Sequence, residues 1–371
     1  MIGRGKTGIG QYVLALTRAL LARSGAHQFV LFVLEEDLPL FDFAKDQAEL
    51  VSVPEKFRPA VKDILWHQSQ LPKLAGKLRL DVLHVPSYRR MLWRKPCPLV
   101  ATIHDLAPFR VAGPYDWRRR FYRRVVARRL ARQQDGFIAT SQNTARDIEQ
   151  LFAPRPDRIT VIHNGIEHAR FCPGSNEVAK TATARHFGLV NPFFLYVARL
   201  EHPVKNHTRL IAAFTQFKTV TRSDWQLALA GSDSLGAGMI HAAIKQSPVA
   251  GDIRTLGFVG DPDLPILYRA ADAFVFPALD EDDGMLPIEA MACGCPVISS
   301  TRGSLGEVVG DEASIINPED VGDMAARLQV MAGNPALRKT WRAAGFKRAK
   351  KFDWLRTAKE TLAVYERVAA R

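Results

Sequence analysis

Four acids in a row, Asp280 to Asp283, run into Gly284, two apolar residues, Pro287 and Glu289, in a chain whose formal net charge is +13. A helix that starts at Pro287 accounts for Glu289 as an acid in the opening turn, and accounts poorly for Glu281, which lies ahead of it. The N–H groups of Gly284, Met285 and Leu286 would face the entrance of that helix, where an anion is favoured. A carboxylate also accepts paired hydroxyl protons, as on a ribose or a hexose. Glu281 and Glu289 can therefore hold sugar hydroxyls at the two ends of a diphosphate that the helix entrance neutralises. The competing reading is an acidic, solvated loop with one capping glutamate.

Three further groups have chemistry to offer. In "YVARLEHPVKNHTRLIAAF" an apolar strand ends at Ala198, and Arg199 and Lys205 flank a short loop before a helix from about Asn206. Two cations at the C-terminal end of a strand can clamp a diphosphate and offset its charge as it leaves; two solvated surface cations are the alternative. "GKTGIGQYVLALTRALL" sets Gly8 and Gly10 ahead of a helical stripe of Ile9, Val13, Leu16 and Leu20. The glycines stand at a helix N-terminus suited to a phosphate, or serve only the turn. His104, followed by Asp105, ends a strand. It reads as a switch-point histidine or as a buried structural one.

These loops need elements to hold them. Apolar strands alternate with helical patterns almost throughout, which predicts an α/β protein with parallel sheets. The strands fall at 29–34, 82–85, 99–103, 136–140 and 159–162, then at 193–198, 226–230, 253–256, 273–277 and 296–300, and predict two sheets of similar size. Residues 169–188 lose the apolar period and collect Pro173, Gly174, Ser175 and Asn176. Two Rossmann-like domains follow, 1–170 and 191–352, with a linker at 171–190, a ligand cleft between them, and an amphipathic closing helix at 353–371. Only seven residues precede Gly8, so the strand expected before that loop is missing, or the chain's start is too late to include it.

Composition narrows the class. The chain has 371 residues, 47% hydrophobic and 24% charged, which suits soluble two-domain architecture and excludes disorder. No apolar run approaches the roughly 18 residues of a membrane span, and Met1 opens on a basic, Gly-rich segment, so a cytoplasmic location is expected. Cys97, Cys172, Cys293 and Cys295 give neither a zinc spacing nor a disulfide framework. Residues 1–190 hold 30 Lys+Arg against 17 Asp+Glu, and the remainder 21 against 21. The excess positive charge thus lies wholly in the first half and favours an anionic partner there.

"EDDGMLPIEAMACGCPVI" resembles the Glu-x7-Glu signature of retaining, nucleotide-sugar-dependent glycosyltransferases with the GT-B fold, a class that includes bacterial mannosyltransferases. "VARLEHPVKNH" resembles that family's Arg and Lys loop, and "TGIG", "TIHDLAPF", "IATSQNTARDI" and "VIHNGIEHARF" resemble its N-domain and linker landmarks in the expected order. The resemblance implies that residues 1–170 take the acceptor and 191–352 the donor, a UDP- or GDP-sugar. Arg199 and Lys205 would then bind the diphosphate, with the Gly8 N–H on its distal phosphate. Glu289 would take the ribose, and Glu281 with the backbone of Gly284, Met285 and Leu286 the transferred sugar. The segment from Gly257 to Val259 would lie by the base, and His104 would touch the donor sugar. Asp282 and Asp283 depart from the family, which has a glycine and an aromatic there.

The same resemblance implies front-face transfer, the departing phosphate taking the acceptor's proton, since no carboxylate nucleophile stands out. No Asp-x-Asp occupies a convincing metal position, so neither metal nor other cofactor is expected. "DWRRRFYRRVVARRLARQQ" carries eight arginines from Arg118 to Arg132 with an apolar thread of Phe121, Val125 and Leu130. It predicts a basic amphipathic helix whose Arg119, Arg123 and Arg124 would meet a lipid-linked acceptor or the anionic inner face of the plasma membrane, or else a merely solvated helix face. The rival readings are a nucleic-acid-binding protein, which leaves the neutral second half unexplained, and an epimerase or phosphorylase on the same fold. No nucleic-acid partner is expected.

Overall fold

The computed structural model describes residues 3–5, 7–23, 25–106 and 122–370, and the chain divides into two units, Met1–Gly165 with Asp353–Arg371, and Ile166–Phe352. In the first unit, α1 (Gly8–Leu21) opens behind Thr7, whose hydroxyl accepts from the Gly10 N–H at 3.0 Å. No strand precedes it among the described residues. The strand expected at 29–34 is β1 (Phe29–Leu34), but it pairs with β2 (Ala48–Val53) in a separate two-stranded parallel sheet. After α2 (Ala60–Ser69) and α3 (Leu71–Lys77), a four-stranded parallel sheet takes the order β3 (Leu83–Val85), β4 (Leu99–Ile103), β5 (Gly136–Ala139), β6 (Ile159–Val161). The described part of the arginine-rich segment is helical, as a wide turn over Tyr122–Ala127 running into α4 (Arg128–Ala131). Helix α5 (Gln142–Phe152) links β5 to β6.

The second unit begins at Ile166, ahead of the expected linker, and includes it. Residues 176–187 are not a loop but α6 (Asn176–Phe187), capped by the Ser175 hydroxyl and tied down by Asn176 Nδ2 donating to the Arg269 carbonyl at 2.6 Å. A six-stranded parallel sheet follows, formed by β7 (Phe193–Val197), β8 (Gln226–Ala230), β9 (Ile253–Gly257), β10 (Ala273–Phe276), β11 (Val297–Ser299) and β12 (Ser314–Ile315). Its order is β12-β11-β10-β7-β8-β9. Between the strands run α7 (His207–Thr221), α8 (Ala237–Gln246), α9 (Leu264–Ala270), α10 (Met285–Ala292) and α11 (Leu305–Val309). The central strands are buried except for the half-buried Val197 at the end of β7, which is why they read as unbroken apolar runs. Phe194, Tyr196, Phe214, Phe274 and Phe276 fill the core around them.

Two helices, α12 (Val321–Gly333) and α13 (Pro335–Ala349), complete this unit. The last helix, α14 (Trp354–Ala369), belongs to the first unit: its Val364 and Val368 pack on Val100 of β4 and Ile138 of β5, and its Ala358 on Tyr12, Leu16 and Leu20 of α1. Of the stripe that helical spacing predicts, Ala358, Leu362, Tyr365 and Val368 do pack inward, whereas Leu355 stays 43% exposed and Val364 joins the face instead.

Candidate active site

In the second unit the strand order reverses between β7 and β10. The loops leaving their C-terminal ends meet there, at the position where α/β sheets generally bind ligands. Lys205 comes from the first loop and Glu281 from the second, and they meet at 2.8 Å, Nζ to Oε2, with side chains 19% and 15% exposed. Burial alone would favour a neutral amine at Lys205, but Glu281, with Glu201 and Asp283 beyond it, outweighs that and raises its pKa. The cation is thus secure at any physiological pH.

Both loops are stapled. Tyr196 Oη donates to the Lys205 carbonyl at 2.6 Å, and the Leu279 N–H donates to the Val204 carbonyl at 3.0 Å. Asn206, buried and left-handed at φ 60°, donates from Nδ2 to the carbonyls of Pro277 and Pro318 at 2.9 and 2.7 Å. On the acidic side, the Ser304 N–H and hydroxyl donate to the Glu281 carbonyl at 2.8 and 3.1 Å. Gly303 passes so close that a Cβ there would stand 2.1 Å from that same oxygen. The backbone of Glu281 is therefore fixed, which orients its carboxylate.

Helix α10 starts at Met285, two residues before Pro287, because Gly284 at φ 62° turns the chain into it. Gly284 has no side chain with which to cap this N-terminus, whose first N–H groups have no partner within the helix. Glu289 consequently lies in the second turn rather than the first. Tyr268 Oη donates to its Oε2 at 3.3 Å. Burial pushes the Glu289 carboxyl up to about 8; Arg170 draws it down only in part, and Asp283 and Asp261 add to the rise.

The other expected donor groups are more dispersed. Arg199 is 69% exposed and pairs with Glu201 at 3.0 Å. Gly257 ends β9 at φ 66° and accepts from the Gly231 N–H at 2.7 Å, while Val259 packs against the core.

In the first unit, Gly8 opens α1 with no described atom within 4 Å of where a Cβ would stand, so the fold itself does not demand a glycine there. His104 follows β4 with its ring against the edge of Tyr12, centroids 4.4 Å apart. Burial lowers its pKa to about 4, which leaves a neutral imidazole, and its Nε2 is buried with no hydrogen-bond partner among the described residues. Such an orphaned nitrogen costs free energy until a ligand satisfies it. Arg119 lies outside the described residues, as do the side chains of Arg123 and Arg124.

Comparison with known proteins bears on this geometry. The family model described as Glycosyl transferases group 1 matches residues 186–348, and the one described as Glycosyltransferase Family 4 matches residues 6–170. The chain belongs to the GT-B glycosyltransferases. Among relatives of this glycosyltransferase, O-antigen chain mannosyltransferase B of Escherichia coli is 34% identical over 47% of the chain and 45% of its own length. D-inositol 3-phosphate glycosyltransferase of Jonesia denitrificans is 28% identical over 84% and 73%. The chain thus spans under half the length of the first and about three quarters of the second. The structure of Anabaena Alr3699/HepE in complex with UDP and glucose superimposes with a TM-score of 0.75 at 18% identity, over 97% of this chain and 96% of that one, which establishes the shared fold.

Three residues of the site were not singled out from sequence. Asn206 and Ser304 hold loops through backbone carbonyls, and Tyr268 reads as one more core aromatic until α9 places it on Glu289.

Proposed function

We propose that this glycosyltransferase moves a sugar from a UDP- or GDP-sugar to a glycan or lipid-linked acceptor with retention of anomeric configuration, in surface polysaccharide assembly. The observation that carries the reading is the Lys205–Glu281 contact at the switch point of the donor-side sheet. Lys205, Arg199 and the Gly8 N–H neutralise the diphosphate. Glu281 and the N–H groups of Gly284 to Leu286 hold the sugar, Glu289 the ribose, and Gly257 to Val259 the base. His104 supplies its free nitrogen to a hydroxyl of the sugar. In the transfer step the acceptor oxygen bonds to the anomeric carbon as the carbon–phosphate oxygen bond breaks; the electron pair leaves on the phosphate, which takes the acceptor's proton. Residues that position and neutralise are sufficient for such a step. The mannosyltransferase relative and the neighbour bound to UDP and glucose agree with this donor class.

Thermal denaturation with UDP, GDP and their sugars tests the reading. A ligand present at 100 times its Kd stabilises by about 2.7 kcal/mol, so the matching nucleotide is expected to raise Tm by roughly 5 °C. No shift with either base would remove the donor assignment.

We also read the first unit as docking on an anionic membrane. Val61, Ile64 and Leu65 are 71%, 42% and 60% exposed along one face of α2, while Asp63 and Trp66 on the other are buried. The stripe continues past Gln68, whose Oε1 accepts from the Trp93 N–H at 3.0 Å, to Trp93 itself, 44% exposed beneath the Arg129 guanidinium. Exposed Lys62, Arg94, Lys95, Arg128 and Arg132 supply the complementary charge. No helix among the described residues is long and apolar enough to cross a membrane. Leu65→Ser with Trp93→Ala should weaken cosedimentation with phosphatidylglycerol vesicles about tenfold, from ~1.4 kcal/mol of lost apolar insertion. Charge reversal at Arg119, Arg123 and Arg124 should weaken it further; unchanged binding in both variants rejects the surface.

A further inference from the structure

The first unit carries a hydrogen-bonded chain that the transfer reading does not use. Its four side chains come from four elements far apart in sequence. Tyr12 of α1 meets Thr102 of β4 at 3.1 Å, Oη to Oγ1. The same Thr102 oxygen lies 2.7 Å from Nε2 of His84 on β3, and His84 Nδ1 lies 2.6 Å from the Tyr365 hydroxyl of α14. The chain therefore runs from the first helix through the sheet to the last helix.

Its near end is the His104 ring. Tyr12 presses on that ring at an interplanar angle of 79°, and the imidazole Nε2 has no hydrogen-bond partner among the described residues. Tyr12 also stands four residues after Gly8, one turn along the same face of α1, so whatever pins Tyr12 pins the helix start as well. Trp354 of α14 also contacts the Tyr12 ring, with centroids 5.8 Å apart.

The chemistry of His84 makes the chain act as one piece. Burial lowers its pKa to about 3, so it is a neutral imidazole, donating from one nitrogen and accepting at the other. Its bonds to Tyr365 and to Thr102 must then run in the same sense: when one end donates to the ring, the ring donates at the other. Removing the Tyr365 hydroxyl frees the tautomer of His84 and loosens the bond that holds Thr102 against Tyr12.

We propose that Tyr365, acting through His84, Thr102 and Tyr12, is a positioning residue for sugar transfer, holding the His104 imidazole and the Gly8 turn in the geometry that meets the donor. The inference rests on the assignment of His104 and Gly8 to the donor. It makes the closing helix part of the catalytic apparatus of its unit rather than packing alone.

The test compares Tyr365→Phe and Tyr12→Phe, each losing one hydroxyl and keeping the ring, with His104→Ala. Steady-state transfer gives kcat and KM for the nucleotide sugar, and histidine side-chain ¹H–¹⁵N spectra of the unliganded protein give the tautomer of His84 and the environment of His104. In both Tyr→Phe variants kcat is expected to fall about tenfold, as small misplacements of reacting groups do. KM for the donor should stay within about twofold, because every nucleotide contact assigned above except the Gly8 N–H lies on the other unit, and the His104 resonances should move. Wild-type kcat with unmoved His104 resonances in Tyr365→Phe overturns the proposal, as does a lowered Tm with kcat unchanged, which would mark the chain as structural only. If His104→Ala itself transfers at the wild-type rate, the donor assignment of His104 has failed. If His104→Ala is inactive and Tyr365→Phe is not, the network alone has failed.

Discussion

Sugar transfer is expected to fall about 10³-fold in both Lys205→Met and Glu281→Gln, the scale of losing a charged group aimed at a transition state. The two variants isolate function from folding because the pair also has a structural share. At 2.8 Å and mostly buried, it leaves an ill-compensated charge when only one partner is removed. Each single variant should therefore lose about 1–3 kcal/mol of stability, less than a fully enclosed pair would, since water still reaches both groups. The double variant replaces the pair by two neutral side chains of similar size and should regain most of that loss. It should regain no activity. Denaturant unfolding and nucleotide release in the four proteins of the cycle measure both quantities. Recovery of transfer along with stability in the double variant would show that the pair serves only to close the two loops, and wild-type turnover in either single variant would end its assignment to the donor.

Legibility in the sequence followed burial. Strands β7, β8 and β10 are covered on both faces and read as apolar runs, and most of the stripe of α14 was legible because Ala358, Leu362, Tyr365 and Val368 pack on α1 and on β4 and β5, whereas Leu355 stays exposed. Strand β2 escaped because Glu49 and Ser52 break its period. Helix α6 escaped because its buried residues are only Ala179 and Thr183, too small to show as a stripe. The start of α10 was misplaced because Pro287 is a common first helical residue, whereas the turn is made by the left-handed Gly284. Within the site, Lys205 and Glu281 were visible as chemistry, yet their contact joins positions 76 apart, and no periodicity records which loops leave adjacent strands. The Tyr12 to Tyr365 chain is hidden for the same reason: each member alone looks like an ordinary buried polar residue, and only the topology makes them neighbours.

Glu289→Gln is expected to stabilise the unliganded protein and weaken its hold on the donor, both in a pH-dependent way. In the fold the Glu289 carboxyl titrates at about 8 instead of its ordinary 4.5, so the native state keeps a proton that the unfolded chain has already released. The group therefore has no effect on stability below about pH 4.5, destabilises increasingly as pH rises toward 8, and reaches its full cost above that. Glutamine keeps the shape and a partner for Tyr268 without the charge. Its advantage in Tm should accordingly be near zero at pH 4.5 and grow to about 2–4 kcal/mol equivalent by pH 8.5. Donor binding has the opposite dependence. A ribose diol donates two protons, which the ionised carboxylate accepts best, so binding must expel the proton of Glu289. Affinity of the wild-type protein for an intact nucleotide sugar should rise up to tenfold per pH unit between about pH 6 and 7.5 and level off past 8. The diphosphate diester of such a ligand does not titrate in this range, and Lys205 remains charged, which leaves Glu289 as the group that sets the slope. Calorimetric titration across pH 6 to 9 should show that slope in the wild type and a flat, weaker profile in Glu289→Gln. A flat wild-type profile would place the ribose somewhere other than on Glu289.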